Sequence, residues 1–179
     1  MKCPRCQTPD LQPTMIEDYL PAMGCGTCNG SLMSLLSYRH WAETQKAASA
    51  EPAGSTDAAL EATDTKTAVK CPKCARVMMK YKMTGRIANR LDVCSSCDEA
   101  WLDGGEWELL EALQLSRNMP AIFTDAWQSR IRRELTKDTR REILTRKIGE
   151  DGTAKVEAFK SWLAKNEHRP DIMAYLYRA

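Results

Sequence analysis

Residues 94–110 read CSSCDEAWLDGGEWELL, and this stretch decides how the rest of the chain is read. Cys94 and Cys97 form a thiol pair two residues apart, and Trp101 and Leu102 follow as an apolar plug. Asp103 and Glu106 stand in the order of a helix capping box, and Trp107, Leu109 and Leu110 open an apolar helical face. A thiol pair running directly into a capped amphipathic helix ties a metal knuckle to a packed element.

All eight cysteines fall in such pairs: Cys3/Cys6, Cys25/Cys28, Cys71/Cys74 and Cys94/Cys97. The pairs make two sets, Cys-x2-Cys-x18-Cys-x2-Cys and Cys-x2-Cys-x19-Cys-x2-Cys, both within the spacing of a four-cysteine zinc site. Zinc takes four soft ligands in a tetrahedron, which two knuckles facing each other across a hairpin supply. Iron in a rubredoxin-like site uses similar knuckles, so the metal expected is Zn2+ at two sites, with iron open as the alternative. Four thiolates leave no position for a catalytic water, so the expected role of the metal is structural.

The first set belongs to a unit spanning residues 1–41, with a β-hairpin expected between Leu11 and Met23. After the second knuckle Leu32, Met33, Leu35, Leu36, Tyr38 and Trp41 read as a helical apolar segment. The second unit, residues 70–118, repeats the first. Its leading cysteines are offset by 68 residues and its trailing ones by 69, and Leu32, Met33, Tyr38 and Trp41 align with Trp101, Leu102, Trp107 and Leu110. Alternation over 77–83 and 87–93, broken at Thr84-Gly85, predicts its hairpin. Between the units, residues 42–69 lack any aromatic side chain and are rich in Ala, Thr, Ser, Glu and Asp. This composition predicts a flexible linker, with transient helix around Asp57–Ala62.

Residues 119–179 contain no cysteine and read as helical. A Trp127, Ile131, Leu135 stripe predicts a helix ending at Gly149, with Thr139 and Glu142 as a second capping box that would break it near Asp138. A helix over about 153–165 is expected to bury Val156, Phe159 and Leu163, and Pro170 suits the start of a last short one. Trp127, Trp162, Tyr175 and Tyr177 are read as the core of a small bundle. The expected fold is therefore a small metal-dominated α+β protein: two four-cysteine ribbons, each a hairpin plus helix, joined by a flexible linker and followed by a helical region.

The formal net charge is +2, and eight thiolates with two divalent ions take it to −2. Any nucleic-acid role must then rest on a local patch. At about 100° per residue, Arg130, Arg133, Lys137, Arg140 and Arg141 form one basic face, opposite the Trp127 stripe. On the second hairpin, Lys80, Lys82 and Arg90 share the face away from Tyr81 and Leu91. No nucleophile-and-base constellation is legible around the two histidines, His40 and His168, and no enzyme activity is expected. No apolar run reaches the ~20 residues of a membrane span, and MKCPRCQTPD lacks a signal-peptide core, so a cytoplasmic protein is expected.

CPKC at 71–74 followed by CSSCDEAWLDGGEWELL resembles the bacterial zinc ribbons classed with the transcription-factor-IIB-type zinc finger. Their pattern is a Cys-Pro-x-Cys knuckle, a hairpin, and a Cys-x-x-Cys knuckle leading into Trp-Leu-Asp-x-Gly-Glu. The likeness covers about Lys70 to Leu115, with a degenerate copy at 1–41 that lacks the Trp-Leu-Asp box. Asp98-Glu99 also departs from the glycine-containing step usual after the second knuckle. The resemblance implies zinc on the eight cysteines and a place in transcription. Three roles are expected in order: a non-catalytic module binding nucleic acid or the transcription or translation machinery, a protein-protein adapter with purely structural zinc, and a zinc- or redox-responsive switch.

Overall fold

A computed structural model of the chain describes residues 1–7, 9–46 and 62–178. The chain divides into two compact units, Met1–Ile131 and Arg132–Ala179.

The first unit is built on a six-stranded antiparallel sheet of order β1-β2-β3-β6-β5-β4. β1 (Gln12–Glu17) and β2 (Leu20–Gly24) form the first hairpin, and β3 (Ser31–Ser34) leads into helix α1 (Leu35–Lys46). β4 (Met79–Lys82) and β5 (Arg90–Cys94) form the second hairpin, and β6 (Glu99–Leu102) leads into helix α2 (Glu106–Ala112). The two hairpin units share one sheet, because β3 pairs with β6.

Three boundaries move. Ser31–Ser34 is a strand where a helix was expected, and Trp101 and Leu102 lie in a strand as well. α1 continues through residues 42–46 of the expected linker, while the suggested helix at 57–62 lies, up to residue 61, outside the described residues. Residues 63–65 are strapped onto the sheet. Thr63 N donates to Gly104 O at 2.9 Å, Thr65 N donates to an Asp103 carboxylate oxygen at 2.5 Å, and Asn89 Nδ2 donates to Thr63 O at 3.0 Å.

The sheet buries both faces. One packs under the helices through Met33, Leu91, Val93, Ala100 and Leu102, with Tyr38, Trp41, Trp107 and Leu110 above it. The other carries Leu32 and Trp101 among the cysteines of both clusters, with Leu11, Val69 and Met78. Gly30 sits where a Cβ would lie 2.3 Å from the Trp101 ring, so the knuckle passes over the indole only without a side chain.

Beyond α2, a 3-10 turn (Ser116–Asn118) and α3 (Met119–Ile122) close the helical layer. Tyr38 ties them to α1: its hydroxyl donates to Ser116 O at 2.6 Å and accepts from Met119 N at 3.0 Å. Burial pushes its phenol up to about 12. α4 (Asp125–Ala164) begins in this unit and seals the sheet edge at β4. The Gln128 side chain bonds both the N–H and the C=O of Lys82, and Trp127 Nε1 donates to Met83 O. At Lys82 the edge groups are thereby taken up and are not open to another chain.

In the second unit, α4 runs unbroken past Asp138 and is interrupted only at Gly149 (φ 76°, ψ 171°), after which helix resumes to Ala164. Thr153 Oγ1 donates to Gly149 O at 2.8 Å and secures the break. α5 spans Arg169–Arg178. The expected bundle core does not form. Leu163 is buried, but Val156, Phe159, Trp162, Tyr175 and Tyr177 are exposed, the last at 84%. Trp127 belongs instead to the core of the first unit.

Candidate metal centres

Each centre is two knuckles brought together by a hairpin. In every knuckle the residue after the second cysteine turns the chain with a left-handed backbone: Gln7 (φ 68°), Asn29 (56°), Ala75 (59°) and Asp98 (54°). In three of them that residue's N–H closes the loop onto the carbonyl of the first cysteine, at 2.8–2.9 Å. Amides so turned point inward, and Cys6 N lies 3.4 Å from Cys3 Sγ.

The result is two groups, Cys3/Cys6/Cys25/Cys28 and Cys71/Cys74/Cys94/Cys97, each with all its sulfurs within 4.8 Å of one another. Cys3 Sγ lies 3.7 Å from Cys28 Sγ, and Cys74 Sγ lies 3.6 Å from Cys94 Sγ. A disulfide brings sulfurs to about 2.05 Å. A tetrahedral ion with metal–sulfur bonds of about 2.3 Å separates them by about 3.8 Å. Both groups match the second geometry, and an all-thiolate set suits a soft or borderline ion.

The thiols themselves are unevenly poised. Burial pushes Cys3 and Cys71 up. It also acts against ionisation at Cys25, but backbone N–H groups of Cys28 and Thr27 and the neighbouring thiols outweigh it and bring Cys25 to about 7. Cys74 comes to about 7 through the Arg76 N–H and then Cys97, while Cys97, as the donor to Cys74, rises to about 12. In each cluster one thiol thus ionises more readily than its neighbours, and a thiolate is the form that binds a cation.

The capping box is only half made. Glu106 Oε2 accepts from Asp103 N at 2.9 Å, but of Asp103 only the backbone carbonyl bonds the helix, accepting from Glu106 N at 3.0 Å, and its side chain gives it no oxygen. Its carboxylate takes Trp101 Nε1 (3.0 Å) and Thr65 N, while Gly105 is the N-cap residue of α2. Asp103 therefore orients the indole between the two cysteine clusters and fastens the strap at 63–65.

The eight basic residues singled out for contact are not alike. Lys80 is not free for a ligand: its ammonium donates to Asp92 at 2.7 Å, with the lysine 15% and the aspartate 1% exposed. Cross-strand pairing set this bond, since Lys80 stands opposite Asp92 on β5. Burial pushes Asp92 up to about 6 despite that partner. Arg130 lies 4.1 Å over the Trp127 ring, on the stripe rather than opposite it. Arg141 pairs with Glu150 and Glu157. Lys82 and Arg90 face each other across β4 and β5, half-buried. Arg133, Lys137 and Arg140 stand exposed on α4 without an ion pair among the described residues.

A cleft of about 410 Å3 lies beside Cys28, with Met15, Asn29, Leu102, Trp107 and Glu108 in its lining. No feature of its sequence neighbourhood marks it, because its walls come from four separate segments.

None of the family models, curated proteins or solved structures compared with the chain matches it. No helix among the described residues is long and apolar enough to cross a membrane.

Proposed function

We propose that this is a zinc-held, non-catalytic binding module: a transcription-factor-IIB-type double ribbon in which two structural zinc ions fix the first unit and the helical second unit engages a protein partner. The observation that carries the partner reading is the exposure of Phe159, Trp162, Tyr175, Leu176 and Tyr177. Tyrosine and tryptophan are enriched in the energetically dominant centres of protein interfaces, and exposed aromatics gathered in one small unit are a common mark of such a site. The all-thiolate sets, which fill a tetrahedron and leave no place for substrate, support the reading of structural zinc.

The test uses the full-length, zinc-loaded chain, tagged and recovered from the cells that express it, with and without nuclease. A defined protein retained after nuclease and lost on Phe159→Ser/Trp162→Ser supports the module as an adapter. Capture that vanishes with nuclease overturns it.

A second reading, contact with nucleic acid or the transcription or translation machinery, is favoured by the unpaired Arg133, Lys137 and Arg140 in a unit carrying 12 Lys and Arg against 8 Asp and Glu. Charge reversal at these three would then abolish binding, and affinity would fall steeply with salt. Binding to neither DNA nor RNA at low salt rejects it.

A further inference from the structure

The duplicated halves can be compared with each other, and they differ at one equivalent place. Under the 69-residue offset, Arg39 on α1 corresponds to Glu108 on α2, and Asp98 after the Cys97 knuckle corresponds to Asn29 after the Cys28 knuckle. The backbone supports the equivalence. Asp98 and Asn29 share the same left-handed turn, and Leu35 N bonds Asp98 O, while its counterpart Gly104 packs so closely on Cys28 O and Asn29 that a Cβ would not fit.

In one half the junction between helix and knuckle is closed by an ion pair. The Arg39 guanidinium grips the Asp98 carboxylate with two bonds, of 2.7 and 3.2 Å. In the other half the helix carries the acid and the knuckle carries an amide, so no such pair can form. What stands there is the cleft whose lining includes Asn29 and Glu108.

We propose that this cleft receives a cationic side chain, arginine in preference to lysine, presented by a protein partner. The proposal rests on the protein-partner reading of the second unit and adds a separate point of contact. A guanidinium in the cleft would donate to Glu108 and to the Asn29 side-chain oxygen, with its aliphatic stem along Met15 and Trp107. The lining carries the carboxylates of Glu108 and Asp103, while the Arg5 guanidinium bonds its Thr63 at 3.0 Å. Trp107 is held at its edge by Glu17, through Nε1 to Oε1 at 3.1 Å. Glu111 is pushed up to about 7, first by its hydrogen bond with Glu17, then by burial and by repulsion from Glu17 and Glu108. Of these three carboxylates Glu108 lines the cleft, and a cation placed beside it offsets its charge and the field of the other two.

The test is a titration of the zinc-loaded, 15N-labelled full chain with a short blocked arginine peptide, alongside lysine and citrulline versions. Expected are shifts centred on Asn29, Glu108 and the Trp107 indole N–H, several-fold weaker binding of lysine, and none of citrulline. The double variant Asn29→Asp/Glu108→Arg copies the closure seen in the other half and should abolish binding while retaining two metal ions per chain. Shifts centred elsewhere, equal response to citrulline, or binding undiminished in the closed variant would each overturn the proposal. Its failure is separable from that of the adapter reading: loss of partner capture on Phe159→Ser/Trp162→Ser does not depend on the cleft.

Discussion

Leu32 and Trp101 face each other at the centre of the sheet, and they are also each other's counterparts in the duplication. The register pairs Ser31 with Leu102, Leu32 with Trp101 and Met33 with Ala100. Only at Leu32/Trp101 does a residue meet its own equivalent, so a local two-fold passes between them. To either side a small residue opposes a large one, Ser31 against Leu102 and Ala100 against Met33. Both cysteine clusters share one apolar layer around this pair.

Purified protein is expected to contain two zinc ions per chain by elemental analysis. A strong chelator should abolish cooperative unfolding of the first unit, because the metal's binding energy is part of its folding energy. Cys94→Ser, within the layer both clusters share, should lower the content to about one ion or fewer.

Gly30→Ala should destabilise the protein by about 1–3 kcal/mol, since the new methyl meets the Trp101 ring and neither neighbour can yield easily. Gly26→Ala, in the same knuckle with nothing within 4 Å, is the control and should stay within about 0.5 kcal/mol. Urea midpoints at constant zinc decide the matter.

Ala75 adopts φ 59°, a conformation that costs a non-glycine residue about 1 kcal/mol. Ala75→Gly should therefore raise stability slightly, by less than about 1 kcal/mol once the freer unfolded chain is counted. A lower urea midpoint would contradict the strained knuckle.

Lys80→Met leaves Asp92 buried without its cation and should cost about 3–5 kcal/mol, whereas Lys80→Met/Asp92→Leu should recover much of the loss. Denaturant unfolding of the three proteins forms the test. Equal stability of wild type and Lys80→Met would show that the pair carries no weight.

Glu106 has its carboxyl pushed up to about 8, first by burial, against an ordinary value of 4.5. The folded protein then holds a proton that the unfolded chain releases, so this group's contribution falls as pH rises from about 4.5 and levels off above about 8. Glu106→Gln should remove that decline, its advantage over wild type growing between pH 5 and 8 in paired unfolding curves. A constant difference across that range would mean that Glu106 is ionised when folded.

The cysteine pairs, both hairpins and the start of the helical region were legible because spacing and alternation are local. The pairing of β3 with β6 was not. Ser31–Ser34 and Glu99–Leu102 are buried on both faces, so Leu32-Met33 and Ala100-Trp101-Leu102 read as continuous apolar runs without the alternation that marks a half-exposed strand. Leu32, Leu35 and Leu36 also satisfy a helical period, which hid the four-residue strand before α1. The capping box misled differently, because Asp103 was recruited by Trp101 and Thr65, partners that exist only once the chain has folded back. In the second unit, aromatic periodicity was read as burial, yet Phe159 and Trp162 lie tilted against each other at 5.6 Å in contact with solvent.

The pairing of Leu32 with Trp101 also sets an order of events during synthesis. β3 has no neighbour on one side until a strand 69 residues further along the chain is made. A nascent first hairpin therefore leaves the ribosome with the backbone groups of Ser31–Ser34 open on that side, beside Leu32 and Met33. Such an edge is a template for mispairing with other emerging chains, and the hazard ends only when Glu99–Leu102 arrives.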